Sequence, residues 1–173
     1  MCYENISLIG FMGSGKSTVG RILADKVGFL YIDLDRIIEV DKGISISDIF
    51  KEFGEKYFRD LESEVIRKVY KNKNCIFACG GGAVKKKKNM EIIRRNSRVV
   101  YLSVSPEVSF RRLEHVKDRP IIEVEDREDT IRKLIKRRDA LYRKYAHIVI
   151  DNNGDDPYKT SEDIIAGLAI KSN

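Results

Sequence analysis

Gly10-Phe11-Met12-Gly13-Ser14-Gly15-Lys16-Ser17-Thr18 fits G-x-x-x-x-G-K-[ST], the pattern of a phosphate-binding loop. Glycines in such a loop let backbone N–H groups turn inward around a polyphosphate. The N-terminus of the following helix adds free donors and a partial positive charge. In this pattern Gly13, Ser14, Gly15, Lys16, Ser17 and Thr18 hold the nucleotide phosphates. Lys16 reaches the β- and γ-phosphates, and the Ser17 hydroxyl takes a Mg²⁺ position. The flanks fit the device. Ile6-Ser7-Leu8-Ile9 reads as a buried strand, and Val19, Ile22, Leu23 and Val27 recur at helical spacing.

Three further groups could carry chemistry: an acidic pair, a run of glycines and a set of arginines. Asp33-Leu34-Asp35 follows the second predicted strand; alternation in an extended stretch puts both carboxylates on one side, one for a metal and one for an acceptor. Gly80-Gly81-Gly82 is entropically costly to order and suits backbone that must approach a ligand. Arg59 and Glu62 lie at i, i+3 on a predicted helix, so the acid can aim the guanidinium at a carboxylate; the alternative is a plain surface ion pair. Arg111, Arg112 and Arg119 flank a polar loop before Pro120, and a closing loop that bears arginines can bring charge to a phosphoryl group. Lys85-Lys86-Lys87-Lys88 reads as a solvated face at a helix start.

These groups need elements to position them. Strands are expected near 5–10, 29–32, 74–79, 98–103 and 147–150. Helices are expected at 16–27, 35–41, 47–53, 55–71, 89–95, 105–114, 126–145 and 157–171. Such alternation predicts an α/β fold, a parallel sheet with helices on both faces, and ligands beyond the carboxyl ends of the strands. Gly10–Thr18, Asp33–Asp35, Gly80–Gly82 and Ser103–Ser105 all follow strands and should share one rim.

Composition narrows the class. The 173 residues suit one domain, 1–173, with one sizeable core. No apolar run is long enough to span a bilayer, and the first residues are too polar for a signal peptide, so a cytoplasmic protein without membrane partners is expected. Three cysteines do not make a disulfide framework or a zinc site. The net charge of +6 suits anionic small substrates or nucleic acid equally, but no RNA-binding signature is present. Asn72-Lys73-Asn74-Cys75 lacks the Asp of a guanine-reading N-K-x-D.

Taken together, the phosphate loop, Asp33-x-Asp35, Phe58-Arg59-x-x-Glu62, Gly80-Gly81-Gly82-Ala83-Val84, Arg119-Pro120, and Arg138 before Leu141-Tyr142-Arg143 resemble a shikimate kinase in order and spacing over essentially the whole chain. The resemblance implies a three-layer α/β/α P-loop kinase fold like that of nucleoside monophosphate kinases. It implies a parallel five-stranded sheet, substrate-binding helices at about 33–61 and a mobile lid at about 113–125. It implies ATP and Mg²⁺ as cofactors, shikimate as acceptor at its 3-hydroxyl, a place on the route to chorismate and aromatic amino acids, no nucleic-acid partner, and a monomer.

By the same resemblance Arg59 and Arg138 meet the shikimate carboxylate, while Asp35 and the backbone of Gly80, Gly81 and Gly82 meet its hydroxyls. Phe50 and Phe58 line the pocket. Ser17 binds Mg²⁺ directly and Asp33 through water. Lys16, Asp35 and Arg119 are the catalytic residues, with Arg119 reaching the γ-phosphate from the lid. Arg112 packs on adenine, and the turn at Asp156 before Pro157 covers the base. The chain departs from the family at Cys79, where Ser or Thr often precedes the triple glycine. Two rival readings stand beside this one: another small-molecule kinase, such as a gluconate or nucleoside monophosphate kinase, and an ATP-switched nucleic-acid module.

Overall fold

A computed structural model describes residues 5–114 and 126–170. β1 (Asn5–Ile9) runs through the glycine loop into α1 (Lys16–Val27) and the chain returns as β2 (Leu30–Asp33). α2 (Leu34–Lys42), α3 (Ile46–Val69), β3 (Cys75–Ala78), a 3-10 turn (Ala83–Lys85) and α4 (Lys87–Asn96) follow. β4 (Arg98–Ser103), α5 (Pro106–Leu113), α6 (Arg127–Tyr145), β5 (Ile148–Asp151) and α7 (Pro157–Leu168) come last. The five strands form one parallel sheet in the order β2-β3-β1-β4-β5. Since all run the same way, their carboxyl ends lie along one rim, as the alternating pattern predicts.

Side-chain alternation sorts the core into two layers. Ile6, Leu8, Ile76, Val100 and Leu102 face Val19, Leu23, Ala24 and Val27 of α1 and Ile164 of α7. Ile9, Cys75, Phe77, Val99 and Tyr101 face the other way, onto Leu34 and Ile38 of α2, Ile66 of α3, Ile93 of α4, and Ile131 and Tyr142 of α6. The buried strands therefore read as near-continuous apolar runs.

Two local features differ from a simple reading. The Asp33–Asp35 stretch is not extended throughout: the chain turns into α2 at Leu34, and Asp33 caps that helix by accepting from the Asp35 and Arg36 amides. A helix start, not strand alternation, places these two carboxylates. The helices expected at 47–53 and 55–71 are the two arms of α3, bent where Gly54 leaves helical geometry at φ +78°, ψ +170°.

Candidate active site

The loop between β1 and α1 is built for an anion. Gly15 sits at φ +86°, and a Cβ there would lie 2.5 Å from Asn152 Nδ2, so both backbone and space require glycine. Side chains of Asp33, Ser45, Ser105, Asp126 and Asp156 cap α2, α3, α5, α6 and α7, whereas no side chain caps α1 or α4. The first-turn amides of α1 are thereby left for a ligand at the positive end of the helix. Lys16 Nζ donates to the carbonyls of Gly10 (3.0 Å) and Phe11 (2.8 Å), which anchors the ammonium to the loop it serves. Asn152, 4% exposed, donates to the Ser14 carbonyl and accepts from Thr160 Oγ1, tying the loop to α7.

A cleft of about 950 Å³ opens beside this loop, walled by Gly13, Lys16, Ser17, Thr18, Asp33 and Asp35 among others. Ser17 Oγ donates to Asp33 Oδ2 at 3.1 Å, and the Tyr31 phenol donates to the same oxygen at 3.0 Å. Burial pushes Tyr31 up to about 12, so it is a proton donor at any working pH. Among the described residues no group of three or more His, Cys, Asp or Glu could cage a metal ion. A hydroxyl and a carboxylate are instead the hard oxygen donors that suit Mg²⁺, an ion that keeps waters and takes its remaining ligands from substrate phosphates.

A narrower recess of about 50 Å³ shares Met12, Asp35, Ile46 and Gly81 with the cleft and adds Phe50, Phe58, Arg59, Gly80, Gly82 and Arg138. It admits a small acid's head group but no nucleotide. Arg59 is 7% exposed; its Nη1 donates to both oxygens of Glu62 at 3.0 Å, and its Nε donates to Glu55 at 3.3 Å. Glu62 is fully buried, so the surface-pair alternative falls. Desolvation outweighs the neighbouring guanidinium and pushes the Glu62 carboxyl up to about 7. Arg138, also 7% exposed, lies over the Phe11 ring and donates to the Gly81 carbonyl at 3.4 Å. Within the triple glycine, side chains are excluded at Gly80 and Gly82, while a Cβ on Gly81 would meet only ordinary contacts. A Cβ on Gly80 would lie 2.7 Å from both Asp35 Oδ1 and Glu62 Oε1, and one on Gly82 would overlap the Arg59 guanidinium.

Other expected residues have different surroundings. Arg112 bridges the Gly13 carbonyl and those of Asn152 and Gly154, beside the loop. The Asp156 carboxylate is taken by the amides of Tyr158 and Lys159 as the cap of α7. Arg119 and most of the 113–125 lid lie outside the described residues. The lysine run is not simply a solvated face: Lys85 pairs with Glu55, and Lys86 with Asp60 and the Arg59 carbonyl, which staples the glycine turn to α3. Cys79 Sγ pairs with Tyr70 at 3.4 Å in a buried chain that continues to Ser7 and Ser97. Burial pushes this thiol up to about 12, so it stays neutral and inert.

Two residues of the site, Asn152 and Tyr31, have no signal in the motifs, and a third, Tyr142, enters there only as a neighbour of Arg138. Tyr142, fully buried, donates to the Gly81 carbonyl and holds the triple glycine from below. Asn152 and Tyr31 support the loop and Asp33. Only position could have flagged them: Asn152 follows a strand on the ligand rim, and Tyr31 stands two residues before Asp33 on the same strand face.

A phosphate loop opening a parallel sheet, with a small cationic recess beside it on the same rim, defines a P-loop kinase of a small molecule. M. mycoides deoxyadenosine kinase with bound dATP shares this fold at TM-score 0.61 and 16% identity, covering 95% of this chain and 99% of that one. The chain belongs to the shikimate kinase family, whose model matches residues 12–169. It is 41% identical to the shikimate kinase of Thermodesulfovibrio yellowstonii over 98% of both sequences. It is also similar to the Acinetobacter baumannii shikimate kinase solved in complex with shikimate, at TM-score 0.93 and 37% identity over 98% of this chain and 97% of that one.

Proposed function

We propose that this chain transfers the γ-phosphoryl group of ATP to the 3-hydroxyl of shikimate, giving shikimate 3-phosphate and ADP on the route to chorismate. The observation that carries the reading is the pair Arg59 and Arg138 in one recess with Asp35, sharing walls with the phosphate-loop cleft. Two guanidiniums beside an apolar floor of Phe50 and Phe58 suit a ring that bears one carboxylate. Charge-assisted hydrogen bonds contribute roughly 1.5–3 kcal/mol each, enough to select an acid over a neutral polyol.

Phosphoryl transfer needs positioning and charge stabilisation more than a strong base. In this reading the Gly13–Thr18 amides and Lys16 bind the triphosphate. Asp35 orients the acceptor hydroxyl and takes its proton late, and the glycine turn keeps bulk out of the acceptor's place. Ser17, with Asp33 behind it, would hold Mg²⁺, which supplies positive charge to the phosphate oxygens. Arg119 comes from the lid to the transferring group, while Arg112 and the turn at Asp156 flank the adenine. The chain acts as one domain with its lid at about 113–125, as a cytoplasmic monomer acting on small molecules; among the described residues no helix is long and apolar enough to cross a membrane.

The test is ADP release from ATP and Mg²⁺ with shikimate, gluconate or a nucleoside monophosphate as acceptor. Release driven by shikimate alone is expected. Release driven equally by the other acceptors, or salt-sensitive nucleic-acid binding without acceptor-dependent turnover, would replace this reading.

A further inference from the structure

Asp33 is held from four directions. Its Oδ1 accepts from the amides of Asp35 (3.1 Å) and Arg36 (3.3 Å), and its Oδ2 from the hydroxyls of Ser17 (3.1 Å) and Tyr31 (3.0 Å). Four donors spread over both oxygens hold the group in one orientation. A hydroxyl has one hydrogen and two lone pairs. While Ser17 donates its hydrogen to Asp33, its lone pairs are left for a cation. The direction of Ser17 therefore depends on where Oδ2 stands; Tyr31 donates to that same oxygen, and its phenol also lies within hydrogen-bond reach of Ser17.

The ring of Tyr31 has a prepared seat. Tyr31 and Asp33 alternate onto the same face of β2, toward α1. There α1 carries Gly20, where a Cβ would lie 2.8 Å from Tyr31 Cε2 and 3.3 Å from its Cδ2. Gly in a helix interior costs about 1 kcal/mol against Ala, and here it opens room for the ring. The Arg21 guanidinium covers the ring at 5.4 Å from its centroid.

We propose that Tyr31 is a positioning residue for the metal site: its phenol fixes the Asp33 carboxylate so that Ser17 presents its oxygen to the divalent cation of the bound nucleotide. This rests on the reading of Ser17 and Asp33 as the place of that cation. Outer partners that orient a metal's ligands affect affinity through the ligand they hold, without touching the ion.

Tyr31→Phe removes only the hydroxyl and keeps the seated ring. Mn²⁺ binding to the protein–ADP complex, followed by the spin-resonance signal of free Mn²⁺, should weaken about tenfold, in the range seen when an outer partner is lost. ADP binding without metal, measured by calorimetry, should stay unchanged. Unchanged or tighter Mn²⁺ binding overturns the proposal. An equal loss of metal-free ADP binding also overturns it, because the phenol would then support the loop as a whole. If the parent complex binds Mn²⁺ no more tightly than free ADP does, the metal-site reading itself fails, a result distinct from failure of the variant.

Discussion

Glu62 is fully buried against Arg59, and its carboxyl is pushed up to about 7 from an ordinary value near 4.5. Between those two values the folded chain holds a proton that the unfolded chain has released. Stability therefore falls as pH rises through that window, and the cost is fully present above about pH 7. The size is on the order of 3 kcal/mol. Glu62→Gln should lose this slope: thermal unfolding from pH 5 to pH 8 should show the parent declining relative to the variant, whatever the variant's absolute stability. Parallel curves would contradict the assignment. Arg59 depends on this acid for its direction. Arg59→Ala should raise the shikimate KM by roughly 10- to 100-fold, the value of one charge-assisted pair, with ADP affinity unchanged by titration.

At the scale of elements, the recess is made by the bend in α3 and the turn after β3. The bend at Gly54 lets one arm bring Phe50 and the other Phe58, Arg59 and Glu62 to the same hollow. The turn is stapled across by Lys85 and Lys86. Gly82 has φ −101°, which any residue adopts, so its glycine is needed only for the space taken by the Arg59 guanidinium. Gly82→Ala should therefore leave folding and ADP binding nearly intact while displacing Arg59. Steady-state kinetics should show the shikimate KM raised about tenfold, the loss of one charged hydrogen bond. A loss of melting temperature with an unchanged KM would mean that the turn, not the guanidinium, fills that space.

Across the whole molecule, the parallel sheet brings the ends of five strands to one rim, and Asn152 links two distant parts of it. Its side chain joins the end of β5 and α7 to the loop after β1. Asn152→Ala leaves the Ser14 carbonyl without this partner in a buried place. It should cost about 2 kcal/mol, or about 6 °C in melting temperature. ADP affinity should fall with it; calorimetry and thermal unfolding together check both, and a loss in neither would remove Asn152 from the support of the loop.

The family and the sheet were legible in the sequence because their signals are local: a glycine loop between a strand and a helix, apolar runs at two periods, and Arg59 one helical turn from Glu62. Those spacings set which residues lie on the rim. Tertiary structure alone decided how deeply Arg59 and Glu62 are buried, that Asp33 caps α2 while holding Ser17, that Lys85 and Lys86 reach α3, and that Gly20 makes room for Tyr31. Each of these is a contact between residues far apart in the chain or a degree of exclusion from water. Neither leaves a period or a motif behind, since both arise only when separate elements close on one another.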